Sequence, residues 1–184
     1  MNKTLFYTGK GDQGDTARLG DTKRISKSDN LLDTIGTLDE ATSAIGLARA
    51  QGCDALLCDA LLKAQRCLYR LMSHLSATPE LRANYTGLTD ADVTWLEDII
   101  AQLEPQLPQL QGFVLPGDSP AGAAFHLART IVRRAERRLI AFTEMEPNIG
   151  PANLAFVNRL SSLMFVTALM EDIAAGAELS YAKE

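Results

Sequence analysis

Ser119 to Thr143 reads SPAGAAFHLARTIVRRAERRLIAFT, and its spacing decides the fold class. Ser119 followed by Pro120 is an N-cap with proline at the first helical position, where a missing N–H costs nothing. Ala128, Val132, Ala135 and Leu139 then recur at three- and four-residue steps, the apolar stripe of an amphipathic helix. The same period continues on both sides. Leu32, Ile35, Leu38, Thr42, Ile45 and Ala48 make one face of a helix starting near Asp29, and Leu57, Leu61, Ala64, Leu68, Leu71 and Leu75 mark another from Asp54 to Ser76. Thr89 with Asp92 three residues on is a capping box that opens a third helix ending near Pro105 and Pro108. Asn148-Ile149-Gly150-Pro151 repeats the proline device before a last helix to about Ala175, which holds only Arg159, Glu171 and Asp172 as charges. So apolar a helix belongs at the centre of a bundle or at a subunit contact.

Composition agrees. The 184 residues hold 27 leucines and 25 alanines against nine isoleucines and five valines, which favours helix over strand. The expected fold is all-α, a five-helix bundle in a single domain (1–184), with an irregular glycine-rich segment over 1–28, the bundle over 29–175 and a tail over 176–184. A domain of this size buries enough surface to need no staple. Cys53, Cys58 and Cys67 lack a paired C-x-x-C spacing, and His74 and His126 are the only histidines. The cysteines are therefore expected as buried thiols in a reducing cytoplasm, without a zinc site. The longest stretch free of charges, Pro105–Gly117, is 13 residues with three prolines, too short to span a membrane. The start of the chain has no signal-peptide apolar core. The net charge of −5 argues against nucleic-acid and membrane-surface partners.

Yet Arg129, Arg133, Arg134, Arg137 and Arg138 stand against one acid, Glu136, within a single decade. At about 100° per residue, Arg133, Glu136 and Arg137 lie about 40°, 20° and 80° from Arg129, on one flank, while Arg134 and Arg138 point to another. Guanidinium forks suit phosphate oxygens and carboxylates and keep their charge at any working pH. This flank reads either as a polyphosphate site or as a solvated face paired with acids on neighbouring helices, Asp39 among them. Tyr7 to Thr16, YTGKGDQGDT, adds three glycines, Lys10 and the hydroxyls of Thr8 and Thr16, a composition that lets backbone amides approach phosphates. Its spacing is not that of a P-loop. On the apolar last helix, Asn158 and Arg159 read equally as a helix–helix hydrogen bond or a ligand contact, and His126 reads as structural.

Taken together, the blocks YTGKGDQGDT (7–16), ISKSD (25–29), IGTLDE (35–40), FVLPGD (113–118), HLARTIVRRAERR (126–138) and FVNRLSSLMF (156–165) closely resemble the ATP:cob(I)alamin adenosyltransferases of the propanediol-utilisation type. The resemblance implies a cytoplasmic homotrimer with active sites between subunits. It assigns Thr8, Gly9, Lys10, Gly11, Asp12, Gly14, Thr16, Lys27, Arg129, Arg133, Glu136, Arg137 and Asn158 to ATP. Asp39 would pair with Arg129 across the subunit boundary, and Phe113 would face the lower side of the corrin. Arg129, Arg133, Asp39 and Phe113 are the expected catalytic set. Magnesium would accompany the ATP phosphates, with Asp12 or Glu136 near it. Cobalamin is the other substrate, an electron-donating reductase and an adenosylcobalamin-dependent enzyme the implied partners. Three positions depart from the family pattern: Gly9-Lys10, Asp118 after Pro116-Gly117, and Ser162. The alternative is a non-catalytic nucleotide or corrinoid carrier or sensor on the same bundle.

Overall fold

In the computed structural model, which describes residues 6–183, five helices carry the chain: α1 (Asn30–Ala50), α2 (Ala55–Ser76), α3 (Asp90–Leu103), α4 (Pro120–Met145) and α5 (Pro151–Ala174). Four start on the expected caps. Asp29 accepts from the Leu31 N–H at 2.9 Å, Asp54 from Leu57 at 2.9 Å and Ser119 from Gly122 at 2.9 Å. At α3 the Asp92 carboxylate accepts from both the N–H and the hydroxyl of Thr89, each at 2.8 Å. The fifth keeps the expected proline, Pro151, in its first turn. Asn148 lies in a 3-10 turn (Pro147–Ile149), and Gly150 is the N-cap, with φ of 80° and no side-chain bond. Asn153, one turn inside α5, instead donates to the Ile149 carbonyl and accepts from the Leu88 N–H at 2.8 Å. It thereby ties α5 to the approach to α3.

The long helices pack as α4 on α5, α4 on α1, α1 on α2 and α3 on α5. Leu38, Ile45, Leu61, Leu68, Leu71, Phe125, Leu139, Phe156 and Leu160 are fully buried in one core, each worth about 2 kcal/mol of apolar transfer. Thr34 and Thr37 can join that core because their hydroxyls donate at 2.7 Å to the Asn30 and Asp33 carbonyls of the preceding turn. The predicted central place of α5 holds, since most of its side chains are buried. By length and composition this 24-residue helix could cross a membrane, which the absence of a long charge-free stretch had hidden. Here its apolar surface is spent on α3 and α4.

Two expectations are corrected. The N-terminal segment is not wholly irregular: β1 (Asp15–Ala17) and β2 (Arg24–Ser26) pair antiparallel, with Thr16 opposite Ile25. Ile25 is the residue that packs this hairpin against the core. Nor are all three cysteines buried thiols. Cys53 and Cys58 form a disulfide across the α1–α2 turn with Cα atoms 5.6 Å apart, because the turn folds Cys53 back over the first turn of α2. Cys67 remains a free buried thiol.

Candidate functional site

Helix α4 divides its arginines between two jobs. Arg134 pairs with Glu40 and Arg138 with Asp33 at 2.9 Å, both acids on α1. The flank that faces α1 is thus a paired helix–helix seam. Asp39, the α1 acid singled out from sequence, is exposed and takes neither arginine. The other flank is unneutralised. Among the described residues Arg129, Arg133 and Arg137 form no ion pair with a carboxylate, and Arg137 donates only to the Arg133 carbonyl at 3.0 Å. The Nε of Arg129 is buried with no hydrogen-bond partner among the described residues. Burial, and after it the adjacent Arg133 charge, lower the pKa of the Arg129 guanidinium from its ordinary value. Arg129 is partly buried while Arg133 and Arg137 are exposed beside it, and a partly buried cation without an ion-pair partner carries a desolvation cost that a bound anion would offset.

Glu136 and Asn158 meet at the edge of this flank. Asn158 on α5 donates to the Glu136 carboxylate at 2.7 Å and accepts from Arg159 at 2.7 Å, and Arg159 pairs with Glu97 of α3 at 2.9 Å. Of the two sequence alternatives for Asn158, the structure shows the interhelix hydrogen bond, placed beside the cationic flank.

The loop before β1 is braced from β2. Lys27 donates through Nζ to the Gly11 carbonyl at 2.8 Å, and its N–H to the Gly14 carbonyl at 2.9 Å. A Cβ at position 11 would stand 2.8 Å from that ammonium, so a larger residue there would displace the lysine tip from the Gly11 carbonyl. Lys10 and Asp12 are exposed, and Thr8 accepts from the Lys10 N–H at 3.4 Å. Thr16 sits inside β1. Arg24, which sequence reasoning missed, donates to the Lys10 and Asp15 carbonyls and at 2.5 Å to the Asp15 carboxylate. That hydrogen bond holds the Asp15 carboxyl below its usual range. Arg24 stands opposite Ala17 in the hairpin and reaches Asp15 diagonally, a pairing that depends on a register the sequence did not reveal.

Phe113 is 70 % exposed on the connection between α3 and α4. The chain's last turn of sequence anchors its backbone: Ala182 N–H to the Phe113 carbonyl at 2.8 Å, Leu115 N–H to Ser180 at 2.8 Å, and a Val114–Tyr181 bridge. The departing residue Asp118 has a partner here. Its carboxylate accepts from the N–H of Ser180 at 2.9 Å and from its hydroxyl at 2.7 Å, which keeps it below the usual carboxylate range. A groove of about 570 Å³ runs between Leu107, Leu110, Phe165 and Leu169. Ser162 is exposed on α5. His126 is buried, and burial followed by the Arg129 charge lowers its pKa, so it stays neutral. Among the described residues no three His, Cys, Asp or Glu side chains group as a metal site.

Residues 6–171 match the cobalamin adenosyltransferase family. The chain is 37 % identical over 176 residues to the corrinoid adenosyltransferase of Bacillus subtilis (strain 168), covering 93 % of this chain and 88 % of that protein. It is 32 % identical to the corrinoid adenosyltransferase PduO of Salmonella typhimurium, with 91 % of this chain and 49 % of that protein aligned. Among solved structures it is similar to a variant PduO-type ATP:corrinoid adenosyltransferase from Lactobacillus reuteri complexed with cobalamin and ATP. There the TM-score is 0.88 at 27 % identity, over 97 % of this chain and 99 % of the other. A second variant of that enzyme, complexed with ATP, gives a TM-score of 0.87 over 96 % and 99 %. With residues 6–171 matched to the family and a relative 37 % identical over 93 % of the chain, the chain belongs to the cobalamin adenosyltransferase family.

Proposed function

We propose that the protein transfers the 5′-deoxyadenosyl group of ATP to the cobalt of cob(I)alamin, giving adenosylcobalamin and triphosphate. The observation that carries this is the Arg129–Arg133–Arg137 flank, which forms no ion pair among the described residues on a helix whose other two arginines are paired. In this reading Thr8, Gly9, Lys10, Gly11, Asp12, Gly14, Thr16 and Lys27 cradle ATP from the loop. Arg129, Arg133, Arg137, Glu136 and Asn158 meet it from the helices. Asp39 of a neighbouring subunit in a trimer completes Arg129.

Cob(I)alamin brings its own nucleophile, so the protein has to align and stabilise rather than attack. The cobalt electron pair forms the bond to ribose C5′, the C5′–O bond breaks, and its electrons leave on the triphosphate oxygen. Guanidinium and amide donors fixed around the triphosphate stabilise that developing charge without reorganising, and a held C5′ gains from proximity. Phe113, an exposed aromatic on the connection between α3 and α4, covers the lower face of the corrin and keeps a lower ligand off cobalt. That eases reduction of cob(II)alamin by a reductase. Magnesium fits as a companion of the triphosphate rather than as a protein-held ion, since Asp12 is a single exposed carboxylate and such ions keep few protein ligands; it would neutralise phosphate charge. Because Co(I) is readily oxidised, the reaction belongs in a reducing compartment such as the cytoplasm.

The test is turnover by the purified chain with ATP, magnesium and reduced cobalamin. Adenosylcobalamin and triphosphate in equal amounts are expected. Release of phosphate or diphosphate instead would overturn this reading, and binding of both substrates without turnover would replace it with the carrier.

A further inference from the structure

The ATP loop ends at Thr16, and the hairpin that carries it contributes one side chain, Ile25, to the margin of the core. What fastens it is the residue immediately after β1. Arg18 donates to the carbonyls of Leu75 at 3.2 Å and Ala77 at 2.9 Å and to the Glu146 carboxylate at 2.9 Å. The second oxygen of Glu146 accepts from Arg82, on the 3-10 turn Arg82–Asn84. Beside the clamp, Leu19 donates to the Ser76 carbonyl at 2.9 Å and accepts from the Thr78 N–H at 3.2 Å. The side chains of Arg18, Arg82 and Glu146 are 15 %, 10 % and 26 % exposed. Burial alone would raise the Glu146 carboxyl, yet the hydrogen bonds from Arg82 and Arg18 bring it below its ordinary value.

We propose that Arg18, Glu146 and Arg82 form a positioning clamp for ATP. It fixes where the Thr8–Thr16 loop stands relative to the bundle, and so how well its amides meet the triphosphate. This rests on the assignment of the loop to ATP. None of the three residues belongs to the arginine flank or to the corrin side. A guanidinium is needed at position 18 because one group must bridge two carbonyls and a carboxylate, which an ammonium on a flexible stem does poorly. A loop that is already fixed loses less entropy on binding, so the clamp acts on affinity for ATP, while the cobalt chemistry uses other groups.

Steady-state kinetics and equilibrium ATP binding on the full chain carrying Arg18→Ala, Arg18→Lys or Glu146→Gln decide the matter. KM and Kd for ATP are expected to rise by about tenfold or more in Arg18→Ala and Glu146→Gln, and by less in Arg18→Lys. At saturating ATP kcat should stay within about threefold, and KM for cobalamin within about twofold. ATP constants unchanged in Arg18→Ala, or a fall in kcat with no change in KM for ATP, would overturn the clamp. If Arg18→Ala does not fold, Glu146→Gln decides by the same criteria. A wild-type chain that binds ATP without adenosyl transfer would strike the proposed reaction, and the Kd series alone would then judge the clamp.

Discussion

Arg133 shows what one side chain contributes beyond its charge. It is exposed on α4 and forms no ion pair among the described residues, so folding has little use for it. Arg133→Ala should leave helicity and melting temperature nearly unchanged while slowing adenosyl transfer by about a hundredfold or more, the usual scale for losing one charge-stabilising donor. Circular dichroism and a single-turnover assay read the two effects separately; near-wild-type turnover would remove the flank from the site. Gly122 is the opposite case. A Cβ there would stand 2.0 Å from an oxygen of Asp172, a fully buried carboxylate that accepts from Ser119 at 2.7 Å. Gly122→Ala must displace that carboxylate inside a packed core, at a cost of about 3 kcal/mol. The expected fall in melting temperature is about 10 °C, and a shift of a degree or two would show that the cluster yields.

At the level of elements, legibility followed the range of the interactions. The starts of α1 to α4 were readable because an N-cap bonds within three residues of itself. Asn153 was missed because it serves α5 from inside the helix while bonding to Leu88, 65 positions away. The division of the α4 arginines into two flanks was visible in angular arithmetic, but Glu40 and Asp33 as the partners were not, since Asp39 looked as good until the register of α1 against α4 was known. Arg18 carried no local signal at all: its acceptors lie 57, 59 and 128 positions on. Helix α3 illustrates a local device with a measurable pH signature. Burial alone would raise the Asp92 carboxyl, but bonds from Arg70 and Thr89 outweigh it and bring the pKa from 3.8 to about 2. A depressed folded-state pKa contributes stability that is present above the unfolded value and lost as pH falls through the folded one. Unfolding free energy should therefore drop between about pH 4 and pH 2 partly through this group. In Asp92→Asn that part of the slope should vanish, with a loss of about 1–2 kcal/mol at neutral pH. Chemical denaturation across this range checks it, and an unchanged slope would assign the acid sensitivity elsewhere.

For the whole molecule, the bundle leaves one question that a single chain poses sharply: where the counter-charge for Arg129 comes from. Its Nε is buried and unpartnered, and the acid expected to pair with it, Asp39, is exposed on α1 without an intrachain ion pair among the described residues. A cation and an anion that fail to meet within the chain can meet between copies, and a closed ring repeats that contact at every interface. If Asp39 of one subunit completes Arg129 of the next, then Asp39→Ala and Arg129→Ala should each cripple every site when expressed alone. Co-expressed in equal amounts, they should regenerate intact sites wherever a subunit carrying Asp39 adjoins one carrying Arg129, about one site in four for random assembly. Activity per site should then recover to about a quarter of wild type. Were the two residues to work within one chain, every site would stay broken and mixing would restore nothing. Recovery in the mixed oligomer therefore locates the missing charge across an interface, and its absence confines the pair, and the site, to a single subunit.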